Sequence, residues 1–380
     1  SVIIIAIVVS PVYFLYFCDL LCLTNKIRNN RYPYQIKFYA TLTAMTLENR
    51  IEAFIELGKQ LQKLSPEDIQ VWARMASARN PWFDEQNVSA AIAGVITLLD
   101  EQYLREWLYP YHLKQVTPKK VGVVMSGNKP LAGFHDLMAV LISGHILLAK
   151  LSPDDEVLMR RVADMLLALE PAFANKLVFA GMLKEADALI ATGSDSAIEY
   201  LTRYFSKSPH IVRTERRSIG VLTGHEETDD LKALGDDVML YYGLNRRNVA
   251  KVFVPEGYTF DKFFEANASH SNMLDLHRYQ NNYDYNKSLL LVNRVHHFDN
   301  GFMLVQESEN VISPISVLFY ETFTSLEDLR GKLNRIKDKT ECVVSAHGWL
   351  EGSIPFGEAQ RPMPWDYADG VDTMKFLKKL

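Results

Sequence analysis

The sequence predicts an α/β protein with two lobes, each built on a parallel-type sheet, preceded by a helical segment. Short apolar runs alternate with helical patterns from about residue 121 to residue 205. The same alternation restarts near residue 215, and helical spacing alone fills most of the stretch after Met45. Because strands that alternate with helices form right-handed βαβ units, both alternating stretches are expected to build parallel sheets.

The helical segment is predicted from the spacing of its apolar residues. From Leu47 to about Leu64 they recur every three or four positions, which is typical of an amphipathic helix. Helical patterns continue through Val88–Leu99 and Gln102–Leu108, and Pro110 and Pro118 then end them.

The elements of the two lobes follow from local patterns. Short continuous apolar runs predict buried strands, and capping residues mark helix ends. In the first lobe, strands are predicted at Val121–Met125, Ile146–Lys150 and Ala188–Ala191, with helices at Phe134–Ser143, after Ser152, and after Ser194 to about Phe205. In the second lobe, strands are predicted at Ser218–Leu222, Val249–Val254, Leu289–Val292, Met303–Gln306, Ser316–Tyr320 and Cys342–Ser345, with helices at Asp229–Tyr242, Ser325–Asp338 and from Asp261.

The predicted organisation has four parts: an upstream hydrophobic segment at 1–44, lobes at 45–215 and 216–350, and a C-terminal tail at 351–380. The apolar run Val2–Leu23 is long enough to span a bilayer, and basic residues follow it, as at a cytoplasmic flank. The first methionine is Met45, so residues 1–44 are either upstream sequence translated from a misplaced start or a membrane anchor. A membrane partner is expected only in the second case.

Composition excludes several classes of protein. The net charge of −5 gives no sign of a nucleic-acid-binding surface. The three cysteines, Cys18, Cys22 and Cys342, have no metal-ligand spacing and are too few for a disulfide framework. These features favour a reducing compartment, and we expect the cytoplasm.

Ligands of open parallel sheets bind outside the carboxyl ends of the strands. Three predicted strand-to-helix turns there carry small or polar residues, namely Ser126-Gly127-Asn128, Lys150-Leu151-Ser152 and Thr192-Gly193-Ser194. Glycine allows close approach to the backbone, and N–H groups at a helix start attract phosphate. The GxGxxG fingerprint of dinucleotide-binding folds is absent, so each turn could also be a plain helix cap.

The order and spacing of these turns resemble the cofactor-binding half of aldehyde dehydrogenases. The resemblance extends from Met45 to Leu380 and is closer to the acyl-CoA reductases, the branch that includes the fatty acid reductase of bacterial luminescence. It rests on the segments 121–128, 134–136, 191–194, 248–255, 281–287 and, most specifically, Trp365-Asp366-Tyr367-Ala368-Asp369-Gly370-Val371-Asp372-Thr373.

The resemblance implies an aldehyde dehydrogenase-like fold and a role for each turn. Asn128 matches the oxyanion-hole amide, although an asparagine here could also simply form the turn. Lys150 and Ser152 match adenosine-ribose contacts, and the turns that carry Ser126, Gly127, Thr192, Gly193 and Ser194 match the cofactor site. The implied cofactor is NADPH, the implied substrate is a long-chain acyl-CoA, and a homo-oligomer is expected.

The implied reaction reduces an acyl thioester to an aldehyde through a cysteine thiolate. Where the family has Gly-Leu-Gly-Cys-Arg-Asn, this chain has Gly243-Leu244-Asn245-Arg246-Arg247-Asn248. Arg246 therefore occupies the position of the thiol, and a guanidinium stays protonated and cannot act as the nucleophile. Three explanations stay open: a substitution or error at this codon, a non-catalytic relative that binds NADPH or acyl-CoA, or another residue that acts instead.

No replacement for the thiol is evident from the sequence. Cys342 lies on an apolar strand, where a buried inert thiol is expected. Glu215 stands near where oxidising relatives carry a water-activating glutamate, but a salt-bridged surface residue is expected. His135, His145, His296 and His297 have no catalytic spacing and are expected to be packed or at the surface.

Overall fold

The computed structural model describes residues 45–113, 116–193 and 195–380. The predicted upstream segment, residues 1–44, and the predicted cofactor residue Ser194 lie outside these residues. In the part of the chain that the structure describes, no helix is both long and apolar enough to cross a bilayer.

Four helices follow Met45: α1 (Leu47–Gln62), α2 (Pro66–Ser77), α3 (Glu85–Leu98) and α4 (Glu101–Leu108). The predicted helical segment is confirmed, but α2 was not predicted. It begins with a capping box in which the Ser65 hydroxyl accepts from the Asp68 N–H and the Asp68 carboxylate accepts from the Ser65 N–H. Pro66 at the first helical position is a second signal for a helix start, so the beginning of α2 could have been predicted from the sequence.

The first sheet has five parallel strands in the order β3-β2-β1-β4-β5. Its strands are β1 (Lys120–Val124), β2 (Ile146–Lys150), β3 (Leu177–Phe179), β4 (Ala188–Thr192) and β5 (His210–Arg213). The predictions for β1, β2 and β4 are confirmed. Strands β3 and β5 were missed because they are short edge strands without a long apolar run. Helices α5 (Phe134–Ser143), α6 (Glu156–Leu169) and α7 (Asp195–Tyr204) connect the strands, as the βαβ pattern predicts.

The second sheet has seven strands in the order β12-β11-β6-β7-β10-β9-β8, parallel except for β8. Its strands are β6 (Arg217–Val221), β7 (Val249–Pro255), β8 (His297–Asp299), β9 (Leu304–Glu307), β10 (Val317–Phe323), β11 (Thr340–Ser345) and β12 (Ile354–Pro355). The helices associated with this sheet are α8 (Thr228–Met239), α9 (Asp261–Ala266), α10 (His277–Val292) and α11 (Leu326–Ile336).

The strand predicted at Leu289–Val292 is wrong, because these residues form the last turn of α10. Helix α10 buries Tyr279, Tyr283, Asn286 and Leu290, at helical spacing, while Leu289, Leu291 and Val292 are exposed. A run of four apolar residues does not by itself distinguish a strand from the end of a helix. Here the preceding residues are buried at every third or fourth position, which is helical spacing, and the helix continues through the run.

The C-terminal tail packs against the first lobe through α12 (Thr373–Leu377) and the residues before it. The Leu377 carbonyl contacts His145 Nε2 at 2.9 Å, and the Tyr367 hydroxyl accepts from the Trp107 indole at 2.6 Å. Closer to the second lobe, the Gly357 and Ala359 N–H groups donate to the Asp237 carboxylate. The tail therefore has partners in both lobes.

Candidate functional site

A cavity of about 450 Å³ is lined by loops from both lobes and by the C-terminal tail. Of the residues predicted for the site, Ser126, Asn128, Thr192, Gly193 and Arg246 line it. Gly127, Lys150 and Ser152 do not line it and lie at the carboxyl edge of the first sheet. The remaining wall comes from α3, the end of β1 with Met125, residues 129–136 and 213–217, Tyr241, residues 244–247, Glu341 and the tail.

Asn128 is fixed by two side-chain hydrogen bonds. The Ser126 hydroxyl donates to Asn128 Oδ1 at 2.7 Å, and Asn128 Nδ2 donates to the Leu244 carbonyl at 2.8 Å. An amide nitrogen has two N–H groups, and among the described residues only Leu244 accepts from this one. The bond to Leu244 ties the turn after β1 to the segment that carries Arg246, and the second N–H has no acceptor among the described residues.

The Arg246 side chain is held by two carboxylates. Its Nη2 lies 3.0 Å from Glu341 Oε2 and also donates to Asp369 Oδ1, while its Nε donates to Glu341 at 3.1 Å. The side chain of Glu341 is 2% exposed and that of Asp369 is 6% exposed. A buried carboxylate without a cation lowers the stability of the fold, so this pairing holds the Arg246 guanidinium at the cavity wall.

A second buried ion pair joins the tail to the first lobe. The Arg213 guanidinium donates two hydrogen bonds to the Asp136 carboxylate, at 2.6 and 2.9 Å, and one to the Thr373 hydroxyl at 3.0 Å. Burial alone would raise the pKa of Asp136, but the charge and hydrogen bonds of Arg213 hold that pKa below its ordinary value. Asp136 lies in the first turn of α5 and Thr373 opens α12, so the pair fixes the tail beside the cavity.

The backbone before Arg246 has an unusual conformation. Tyr241 and Tyr242 have φ values of 55° and 56°, in the left-handed region that side chains rarely adopt. Each such residue costs about 1 kcal/mol. The cost is offset by local contacts: the Tyr241 N–H donates to Asn87 Oδ1 at 2.8 Å, and the Tyr242 hydroxyl donates to Asp84 at 2.5 Å. Helix α3 and its capping residue thus set the path of the chain into the site.

Lys129 also lines the cavity and was not singled out from the sequence. Its ammonium nitrogen lies 5.4 Å from the centroid of the Tyr241 ring. Within the described ranges, no carboxylate lies at ion-pair distance from this nitrogen and no hydrogen bond to it is formed. Burial, with a smaller contribution from the Arg247 charge, lowers the pKa of Lys129 to about 8.

The residues at the carboxyl edge of the first sheet fit a nucleotide. Strand β1 lies between β2 and β4, so the turns that end at Asn128 and Gly193 flank the crevice where the strand order reverses. A Cβ on Gly127 would stand 2.4 Å from Ser152 Oγ, so only glycine lets the two turns lie this close. Lys150 is exposed at the end of β2 and has no charged partner among the described residues. An ammonium without a carboxylate partner is available to an anionic group.

The other residues weighed as replacements for the thiol have structural partners. The Cys342 thiol shares a hydrogen bond with the Ser218 hydroxyl at 3.0 Å, does not line the cavity, and has its pKa raised by burial. Glu215 lies at the cavity but pairs with Arg217 at 3.0 Å. His135 contacts the Pro364 carbonyl at 2.8 Å, and burial lowers its pKa.

No protein-family model and no curated protein matches the sequence. Solved aldehyde dehydrogenases do match the structure. Aldehyde dehydrogenase 21 from Physcomitrella patens, in complex with succinate, has a TM-score of 0.63 at 11% identity and covers 88% of this chain and 84% of its own. An indole-3-acetaldehyde dehydrogenase mutant from P. syringae, with NAD+ and IAA, has a TM-score of 0.59 at 14% identity, covering 81% and 73%. An aldehyde dehydrogenase from Bacillus cereus, with NAD+, has a TM-score of 0.56 at 13% identity, covering 79% and 72%.

These likenesses confirm the predicted fold: the chain has the fold of the aldehyde dehydrogenases. Lys129 and Glu341 line the cavity but were not singled out from the sequence, and neither was the pairing of Asp369 with Arg246. Asp369 lies inside the tail segment on which the resemblance rests most specifically, so that segment was a usable signal. Glu341 lies on strand β11 after a basic stretch, and nothing in the sequence around it indicated a role in the site.

Proposed function

We propose that this chain is an NADP(H)-binding protein of the aldehyde dehydrogenase fold that holds an acyl-CoA or its aldehyde in the cavity. We also propose that Arg246 closes the covalent thioester route of the acyl-CoA reductases. The observation that carries the closed route is the pairing of Arg246 with Glu341 and Asp369 in the cavity that Asn128 also lines.

The thioester route needs a group that attacks the acyl carbonyl and later leaves. A thiolate does both, whereas a guanidinium is a permanent cation and does neither. In the part of the chain that the structure describes, no cysteine lines the cavity. The bound cofactor would supply hydride chemistry, but here no acyl-enzyme is available to receive the hydride. Arg246 and Asn128 would instead polarise or orient a bound carbonyl.

Binding of NADPH rather than NADH is supported by Lys150 and Ser152. By the resemblance, their ammonium and hydroxyl would contact the adenosine ribose, and the ammonium has no competing carboxylate among the described residues. A 2′-phosphate on that ribose would gain a charge-assisted contact that the free hydroxyl of NADH cannot offer.

The test has two readouts on the purified full chain. Fluorescence titration measures the affinity for NADPH and for a long-chain acyl-CoA. A mixture of the two then shows whether the reduced nicotinamide is consumed and free CoA is released. We expect binding of both ligands without turnover. Turnover by the unmodified chain would overturn the proposal that the route is closed, and absence of NADPH binding would overturn the cofactor assignment.

A gain-of-function variant tests the position of the missing thiol. Arg246→Cys alone leaves Glu341 buried without its cation, so the variant is paired with Glu341→Gln, which keeps the shape and removes the charge. We expect the double variant to release CoA from acyl-CoA. The matched control is Arg247→Cys with Glu341→Gln, because Arg247 also lines the cavity but donates its Nε to the Ala359 carbonyl. Equal activity of the two variants would show that residue 246 is not the position of the nucleophile.

A further inference from the structure

We propose that Lys129 is a covalent binding site for aldehydes, at which its ε-amino group forms a reversible imine with a carbonyl compound in the cavity. The inference rests on the proposed function in one respect, namely that the cavity admits an aldehyde. It assigns a nucleophile to this chain that is independent of residue 246.

The surroundings of Lys129 are the first argument. Several lysines in the described ranges that are withdrawn from solvent have a carboxylate partner. Lys251 is 0% exposed and lies 2.6 Å from Glu321, and Lys332 lies 3.3 Å from the same carboxylate. Lys129 is partly buried at the cavity wall, yet its ammonium lies over the face of the Tyr241 ring, 5.4 Å from the centroid. A ring face attracts a cation only weakly and leaves the amine's lone pair free once the proton is lost.

The charges around Lys129 are the second argument. The positive charge of Arg247 disfavours the charged form of Lys129. The carboxylate of Asp155 favours the charged form but lies beyond ion-pair distance. Asp155 is itself buried, accepts from the Ala132 N–H at 3.2 Å, and has its pKa raised well above the ordinary value by burial. With burial as the largest influence, the pKa of Lys129 lies at about 8 instead of 10.5. A neutral amine is therefore accessible near neutral pH, which is the requirement for attack on a carbonyl.

The location is the third argument. Lys129 and Asn128 are consecutive residues, and both line the cavity together with Arg246. Donors that polarise a carbonyl oxygen make its carbon more electrophilic toward an amine on the same wall.

The proposed step balances without an oxidant or a reductant. The neutral Lys129 amine attacks the aldehyde carbon, a C–N bond forms, and a carbinolamine results. Loss of the former carbonyl oxygen as water, which takes both amine protons, leaves a C=N double bond to the side chain. Hydrolysis reverses both stages, so the aldehyde is held reversibly and is not oxidised.

The experiment uses the full chain with decanal and sodium cyanoborohydride, which reduces an imine to a stable secondary amine. Peptide mass mapping then locates the adduct. At pH 7.5 we expect about tenfold more adduct on Lys129 than on Lys63, an exposed lysine that does not line the cavity, because the lowered pKa of Lys129 makes its neutral amine accessible at this pH. The yield on Lys129 should rise as the pH passes through about 8.

Two variants make the result decisive. Lys129→Met and Lys129→Arg both remove the primary amine, one without and one with the positive charge, and both should abolish the adduct at this site. Their thermal unfolding and NADPH titration show whether they are folded and bind the cofactor. Equal labelling of Lys129 and Lys63 in the unmodified chain would overturn the inference. If NADPH binds normally while decanal labels neither lysine, the imine site is wrong and the cofactor assignment stands. If NADPH does not bind but Lys129 is labelled, the cofactor assignment is wrong and the imine site stands.

Discussion

The Arg246 guanidinium lies 3.0 Å from the Glu341 carboxylate, and the Glu341 side chain is 2% exposed. Glu341 has no other cation within ion-pair distance in the ranges that the structure describes, whereas Asp369 is also 3.3 Å from Arg216. Residue 246 therefore neutralises a carboxylate that no neighbour can neutralise in its place. The Arg246 side chain is therefore integrated into the surrounding structure through two buried carboxylates.

The first prediction concerns the stability that Arg246 provides. Arg246→Met should lower the free energy of unfolding by about 3 kcal/mol, because it leaves the Glu341 carboxylate buried and unpaired. Adding Glu341→Gln should restore most of the loss. Urea denaturation measures both effects, with Lys232→Met as a control, since Lys232 pairs with Asp229 in an exposed position. A single variant as stable as the parent chain would contradict the role assigned to this pair.

The second prediction concerns the ion pair that anchors the tail. Asp136→Asn should lower the free energy of unfolding by about 3 kcal/mol, because Arg213 would remain buried without its charge partner. The depressed pKa of Asp136 also fixes the sign of its pH dependence: its contribution is present above the ordinary value of 3.8 and is lost as pH falls through the lower folded-state pKa. Denaturation at pH 7 and at about pH 3 should therefore differ less in the variant than in the parent chain.

The third prediction concerns Asp237, whose carboxylate accepts from the Gly357 N–H at 2.7 Å and the Ala359 N–H at 3.0 Å. Burial is the main cause that raises its pKa from 3.8 to about 7. A raised folded-state pKa contributes stability below pH 3.8 that is lost as pH rises to about 7. Asp237→Asn should flatten the stability profile between those two values. An unchanged slope in urea denaturation across this range would show that Asp237 does not titrate there.

The fourth prediction concerns the choice between cofactors. Lys150→Met should weaken NADPH binding by about tenfold, because it removes one charge-assisted contact to a phosphate. NADH binding should change little, since that ribose has no phosphate. Fluorescence titration with both cofactors gives the ratio, and Lys232→Met is again the control. Equal loss of affinity for both cofactors would place Lys150 elsewhere than beside the ribose.

Much of the fold was predictable because its signals are local. The apolar run Val121–Met125 and the helix Phe134–Ser143 with Gly144 at its end follow from spacing and capping, and the structure has them where they were predicted. Strands β3 and β5 were missed, and the end of α10 was taken for a strand, because short apolar runs acquire their conformation from what packs against them.

The candidate site, like the fold, was predictable only where its signals are local in the sequence. The turn after β1 and the family resemblance predicted Asn128 and Arg246 for the site, and both residues line the cavity. The sequence could not supply the partners of Arg246, which are 95 and 123 residues further along the chain. The sequence also could not show that the Lys129 amine has no carboxylate partner among the described residues. An ion pair or a missing carboxylate depends on which distant segments return to the cavity wall, and burial then decides how strongly each charge acts; only the tertiary structure determines both.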